Sequence, residues 1–213
     1  MRAAPPQHRF AALLAVATLA LLVAFVGFPS QPGARAQNSP TSCEAVTVPL
    51  AAGFNLVAVL DAATPATLVP SAGAVFGWDA AARDFRSFAS DLPAALNGLG
   101  ALEHGGAYWV RLRGGELGGP WPPSPGRVGT SVELEEGFNL VAWLGPDGVS
   151  LREAVQSLGE ALLGAWAWEF GRQQFLSYQP GLPDGLYDDA VIFRGDGIWI
   201  RVGSAMRWDQ SVG

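Results

Sequence analysis

The hydrophobic pattern divides the chain into one long apolar run and a series of short alternating stretches. Phe10 to Phe28 is apolar apart from Thr18, and it follows a head, Met1 to Arg9, that carries Arg2 and Arg9 and no acid. A basic head, an apolar stretch, breakers at Pro29, Pro32 and Gly33, and the small residues of Ala34-Arg35-Ala36 come in the order of an export signal cleaved after Ala36. The 19 residues of the apolar run also suffice to span a bilayer, so retention as an anchor is the alternative. Either way the positive N-terminus stays inside, and everything after residue 36 is expected to be extracellular or at the cell surface.

Beyond that segment the apolar positions follow strand periods bounded by Gly, Pro and Asp. Val46 to Leu50 and Phe54 to Leu60 are expected to pair, the second strand being apolar on both faces and therefore central. Phe76/Trp78 and Phe85/Phe88 flank a polar turn, Asp79 to Asp84, which predicts a hairpin; Trp78 and its counterpart Trp168 are expected in the cores of their hairpins. Ala107 to Arg113 and Gly197 to Val202 predict late strands. Ser150 and Glu153 have capping-box spacing and open a predicted helix ending near Leu163. In the equivalent place Thr64 to Val69 is cut by Pro65 and Pro70 and predicts one helical turn at most.

These elements recur. Gly53-Phe54-Asn55-Leu56-Val57-Ala58 reappears 84 residues later as Gly137-Phe138-Asn139-Leu140-Val141-Ala142. Trp78, Phe85, Phe88, Trp109 and Arg111 match Trp168, Phe175, Tyr178, Trp199 and Arg201 at an offset of 90, so six residues are gained at the Ser150 segment. The expected fold class is mainly β, with two homologous β-rich repeats of about 85 residues, each with a hairpin and a short helix that is clearer in repeat two. The expected organisation is a signal peptide over 1–36, an N-terminal segment over 37–43, repeat one over 44–119, a Pro-rich linker over 120–129 and repeat two over 130–213.

The Gly-aromatic-Asn-Leu-Val opening strand, the Trp-acid hairpin and the late aromatic-Trp-Val strand resemble the tandem "GWNLV…GYWV" β-modules of secreted bacterial and archaeal surface proteins. The resemblance spans roughly residues 46 to 113 and 132 to 203, and it implies an extracellular β-module without implying an activity. Phe54 and Phe138 stand where Trp is commoner in such modules, and Ile198 where Tyr is expected.

Charge narrows the partners. All 13 basic residues are Arg, and without residues 1–36 ten of them face 19 acids, a net charge of −9. Such a surface repels nucleic-acid backbones and anionic lipid headgroups, so no nucleic acid is expected, and membrane contact only through an uncleaved N-terminus. A lone Cys43 cannot form an intrachain bridge; it is free, capped or intermolecular.

Chemistry is sparse. Beyond residue 36 only His104 and Cys43 remain as His and Cys, which cannot build a four-ligand structural zinc site, and Gly-x-Ser-x-Gly, His-Glu-x-x-His and P-loop patterns are absent. No catalytic residue, metal or cofactor is assigned. His104 reads as a turn residue. Asp79 and Glu169 occupy equivalent places and read as turn caps, although a carboxylate pair would suit a secreted hydrolase. Asp184, Asp188, Asp189 and Asp196 read as loop acids, since their spacing departs from a calcium loop.

The candidate ligand face rests on strand parity. Tyr108, Val110 and Leu112 share one face, Trp109 and Arg111 the other; Ile198, Ile200 and Val202 oppose Trp199 and Arg201 likewise. Trp109, Arg111, Trp199 and Arg201 are therefore the expected binding residues, unless the rings are covered by a hairpin or helix with Arg reaching past them. The expected function is a secreted, non-enzymatic surface, adhesion or protein-interaction module whose partner is an envelope or matrix protein or polysaccharide. The alternatives are a carbohydrate-binding module using the Trp/Arg faces and, third, the hydrolase.

Overall fold

The computed structural model describes residues 50, 52–60, 72–112, 130–169, 171–183 and 190–211. The expected export segment, Cys43, residues 46–49 of the expected first strand, the helical turn expected over 64–69, the 120–129 stretch and Asp184, Asp188 and Asp189 lie outside the described residues. The protein is mainly β, built from antiparallel sheets.

One four-stranded sheet contains β1 (Gly53–Ala58), β2 (Ala72–Asp79), β3 (Asp84–Phe88) and β4 (Ala107–Leu112) in the order β1-β4-β2-β3. Two two-stranded sheets pair β5 (Ser131–Leu134) with β12 (Met206–Asp209) and β7 (Val149–Ser150) with β10 (Val191–Ile192). The second four-stranded sheet contains β6 (Gly137–Ala142), β8 (Leu162–Glu169), β9 (Gln174–Tyr178) and β11 (Gly197–Val202) in the order β6-β11-β8-β9. The two large sheets share an arrangement: Leu56 pairs with Trp109 and Leu140 with Trp199, while Trp78 pairs with Phe85 and Trp168 with Phe175.

The local chemistry of the Gly-Phe-Asn-Leu-Val segments explains their start. Gly53 and Gly137 have φ of +94° and +103°, a conformation that an L side chain resists. Asn139 is buried; its amide donates to the Glu135 and Gly137 carbonyls at 2.8 and 3.1 Å and its oxygen accepts from Glu135 N–H at 2.9 Å, closing the connection from β5 to β6.

Strand β1 was expected to be central from its two apolar faces, yet among the described residues it is an edge of its four-stranded sheet. The second apolar face has another cause. Val57 and Val59 pack into their own sheet's core with Val75, Leu102, Val110 and Leu112, while Leu56 packs with Leu140, and Ala58 and Leu60 with Ala142 and Leu144. The strand is thus sandwiched between its own core and the other half of the molecule.

The helix expected from Ser150 to Leu163 is shorter. Its start is as predicted, with Ser150 Oγ accepting from Glu153 N–H at 3.1 Å, but α1 spans only Leu151–Ala154. A 3-10 segment follows over Gln156–Ala161, Gly159 turns to φ 53°, ψ −133°, and β8 begins at Leu162. Leu151, Ala154, Val155 and Leu158 still bury their side chains, so the apolar spacing that suggested a long helix serves a kinked cap over the second core. Strand β12, which was not expected, completes that core: Trp208 is 1% exposed, lies 5.9 Å from Trp143 and donates its indole N–H to Ser157 Oγ at 3.0 Å.

Candidate functional site

Trp109 and Arg111 on β4, and Trp199 and Arg201 on β11, have the predicted parity. Tyr108, Val110 and Leu112 are buried against one core, and Ile198, Ile200 and Val202 against the other. The opposite faces of the two sheets turn toward each other. Trp109 and Trp199, with Trp78 and Trp168, pack half-buried around Leu56, Ala107 and Leu140.

The seam is crossed. Trp78 of the first sheet lies 5.4 Å from Trp199 of the second, and Trp109 lies 4.9 Å from Trp168, both edge to face. Each hairpin indole also donates to the backbone of the other half. Trp78 Nε1 reaches the Phe138 carbonyl at 2.8 Å, and Trp168 Nε1 the Phe54 carbonyl at 3.2 Å. Gln173, at φ 53° in the second hairpin turn, accepts from Phe54 N–H at 3.2 Å and donates to its carbonyl at 3.0 Å. Backbone bonds reinforce the exchange: Ala58 N–H donates to Gly195 O, and Ala142 N–H to Gly105 O, each at 2.9 Å.

Trp78 and Trp168 therefore differ from their expected places in the hairpin cores. They share a strand face with Phe76 and Trp166, as the spacing requires, but this face looks across the seam, and the positions flanking Phe76 and Trp166 that are buried are Val75 and Gly77, Ala165 and Ala167.

Solvent reaches the rim of this seam. Phe54, Phe85, Phe138 and Phe175 are 36%, 41%, 44% and 39% exposed. Arg111 and Arg201 are exposed beside it, their guanidinium carbons 5.9 Å and 5.3 Å from the centroids of Phe54 and Phe138. Phe54 and Phe138 were not among the expected binding residues, although their parity with Leu56 and Leu140 places them on the Trp/Arg face. Gln173 had no sequence signal, because its role depends on what lies across the seam.

Asp79 and Asp196 take turn hydrogen bonds, and His104 meets a backbone carbonyl. Asp79 Oδ1 accepts from Ala82 N–H at 2.9 Å and its Oδ2 from Arg86 Nη2 at 2.7 Å; these backbone and guanidinium donors hold its carboxyl below the usual range. Glu169 lies 3.7 Å from Arg172 within its own hairpin, and its Oε2 is buried without a hydrogen-bond partner among the described residues. Asp196 Oδ2 accepts from Phe193 N–H at 2.8 Å. His104 Nδ1 lies 2.7 Å from the Leu60 carbonyl, which can only accept, so this nitrogen carries the proton. Among the described residues no group of three or more His, Cys, Asp or Glu side chains is placed to hold a metal, and no helix is long and apolar enough to cross a membrane.

No family model matches the chain, and neither a curated protein nor a solved structure is similar to it.

Proposed function

We propose that this protein is a secreted, non-enzymatic binding module of the cell surface or extracellular matrix, made from a duplicated β-unit and resembling the tandem surface modules named above. The observation that carries the reading is the rim of the seam, where an exposed Phe beside an exposed Arg is presented twice, as Phe54/Arg111 and Phe138/Arg201. Support for duplication comes from the repeated motif, the matching strand orders and the reciprocal Trp-to-carbonyl bonds. Two equivalent weak contacts raise avidity when both engage one polymer or matrix.

The half-buried Trp rings serve the seam, so the contact surface of this module is its Phe/Arg rim, with an envelope or matrix protein or polysaccharide as partner. Flat stacking of a sugar on Trp109 or Trp199 is disfavoured by their edge-on neighbours. The hydrolase reading is disfavoured by the turn bonds that hold Asp79.

Retention of the purified protein on envelopes and matrix from its own cells tests the proposal. Arg111→Ala/Arg201→Ala is expected to abolish retention and to leave the near-UV circular dichroism of the seam unchanged. Full retention by this variant, or turnover of a polysaccharide, ester or peptide by the purified protein, overturns it.

A further inference from the structure

A groove of about 370 Å³ opens in the second half, away from the Phe/Arg rim, between the α1 cap and the end of β9. Ser150, Arg152, Glu153 and Gln156 line one side, with Leu162 and Tyr178 among the remaining wall residues. We propose that this groove is a binding subsite for a single neutral sugar residue, distinct from the seam surface and independent of its reading.

Three features of the groove select that ligand class. Its volume falls at the low end of the roughly 300–1,000 Å³ typical of small-molecule sites, which suits one or two sugar rings. Its wall is mixed: Leu162 and the ring of Tyr178 offer carbon surface, while Arg152, Glu153 and Gln156 offer donors and acceptors side by side. A hydrocarbon ligand would strand these polar groups, whereas a pyranose brings both a C–H face and hydroxyls that donate and accept. Charge decides the rest. Arg152 and Glu153 are adjacent and of opposite sign, so a carboxylate or an ammonium on the ligand meets repulsion along with attraction, and a neutral polyol meets none.

The groove is also pre-formed. Tyr178 is half-buried against the second core, and the Arg152 guanidinium carbon lies 6.0 Å from its ring centroid. Ser150 Oγ caps Glu153 N–H and fixes the chain that carries Arg152, Glu153 and Gln156. Gly159, in its glycine-only conformation, bends the segment back so that Leu162 enters β8 beside the groove. The six residues by which the second half exceeds the first fall in this segment.

Amide NMR of the whole exported chain tests this, with glucose, galactose, mannose and N-acetylglucosamine as neutral probes and glucuronate and glucosamine as charged ones. Each is taken to about 50 mM, above the dissociation constant on the order of 1–10 mM expected for so small a ligand. At least one neutral sugar is expected to give saturable shifts over residues 150–162 and 176–180. Arg152→Ala/Gln156→Ala, exposed positions that leave the core intact, is expected to weaken them at least tenfold, and Arg111→Ala/Arg201→Ala to leave them unchanged. No saturable shift in the groove with any of the four neutral sugars overturns the proposal, as do tighter binding of a charged probe, shifts confined to the seam, and undiminished binding by the groove variant.

Discussion

Replacing Trp168 with Ala removes a ring that belongs to the second sheet and lies as close to a ring of the first sheet as to one of its own. The loss includes edge-to-face contacts with Trp109 and Phe175, both at 4.9 Å, the indole bond to the Phe54 carbonyl, and part of the apolar area of a half-buried side chain. Aromatic pairs contribute about 0.5–1.5 kcal/mol each beyond burial, and a net hydrogen bond about as much. Gln173 Nε2 still donates to the same carbonyl, so that acceptor is not orphaned, and the expected cost is about 3–4 kcal/mol. Trp168→Phe keeps a ring and loses the indole bond, for about 1 kcal/mol. The diagnostic quantity is the coupling with Trp109→Ala, expected at roughly 0.5–1.5 kcal/mol because the two rings touch across the seam. Urea unfolding followed by far-UV circular dichroism gives all four free energies. A cost below about 1 kcal/mol for Trp168→Ala, or additive single variants, refutes the account of the seam.

Gln210→Leu strands Leu144 N–H and removes a donor from the Ala142 carbonyl, both inside the protein, at an expected cost of about 2–4 kcal/mol in thermal unfolding. Gln210→Glu retains an acceptor but must be protonated to donate to that carbonyl, so its folded pKa is raised and its stability is expected to fall as pH rises above about 4.3, the ordinary Glu value. Asp79 has the opposite sign: its folded pKa is lowered, so its contribution is present above the unfolded value near 3.9 and is lost as pH falls through the folded one. Asp79→Asn should flatten that acid limb of the melting curve. Intact mass of the exported protein is expected to begin at Gln37; a mass that includes residues 1–36 establishes the anchor instead.

Strand parity was legible where side chains alternate strictly. Tyr108, Val110 and Leu112 were separated correctly from Trp109 and Arg111, because period two depends only on the backbone. The hairpin from Ala72 to Phe88 followed from its turn residues in the same way. What a face meets is a long-range matter. Neither the apolar back of β1 nor the Trp/Arg faces carried any mark of the other sheet. So β1 was expected at a sheet centre, Trp78 and Trp168 in hairpin cores, and Trp109 and Trp199 either as binding residues or as rings covered by a hairpin or helix; the cover they have comes from the other half. The cap after Ser150 failed as a long helix for a local reason, since Gly159 adopts a backbone that no helix contains. Strand β12 is four residues long, too short for its alternation to stand out, although Trp208 and Gln210 bind the chain end to the core. In the groove, Arg152, Glu153 and Gln156 meet Tyr178 only because that cap folds against β9.

A seam shared by the two sheets makes them one cooperative body. Equilibrium urea unfolding of the protein, read by far-UV and near-UV circular dichroism, should be compared for Val75→Ala in the first core and Ile200→Ala in the second. A single coincident transition is expected, with either variant moving the whole curve to lower urea, because each half completes the other through Trp78, Trp109, Trp168 and Trp199. Two transitions, with each variant shifting only one of them, would contradict the account: the halves would then be separate domains that merely touch.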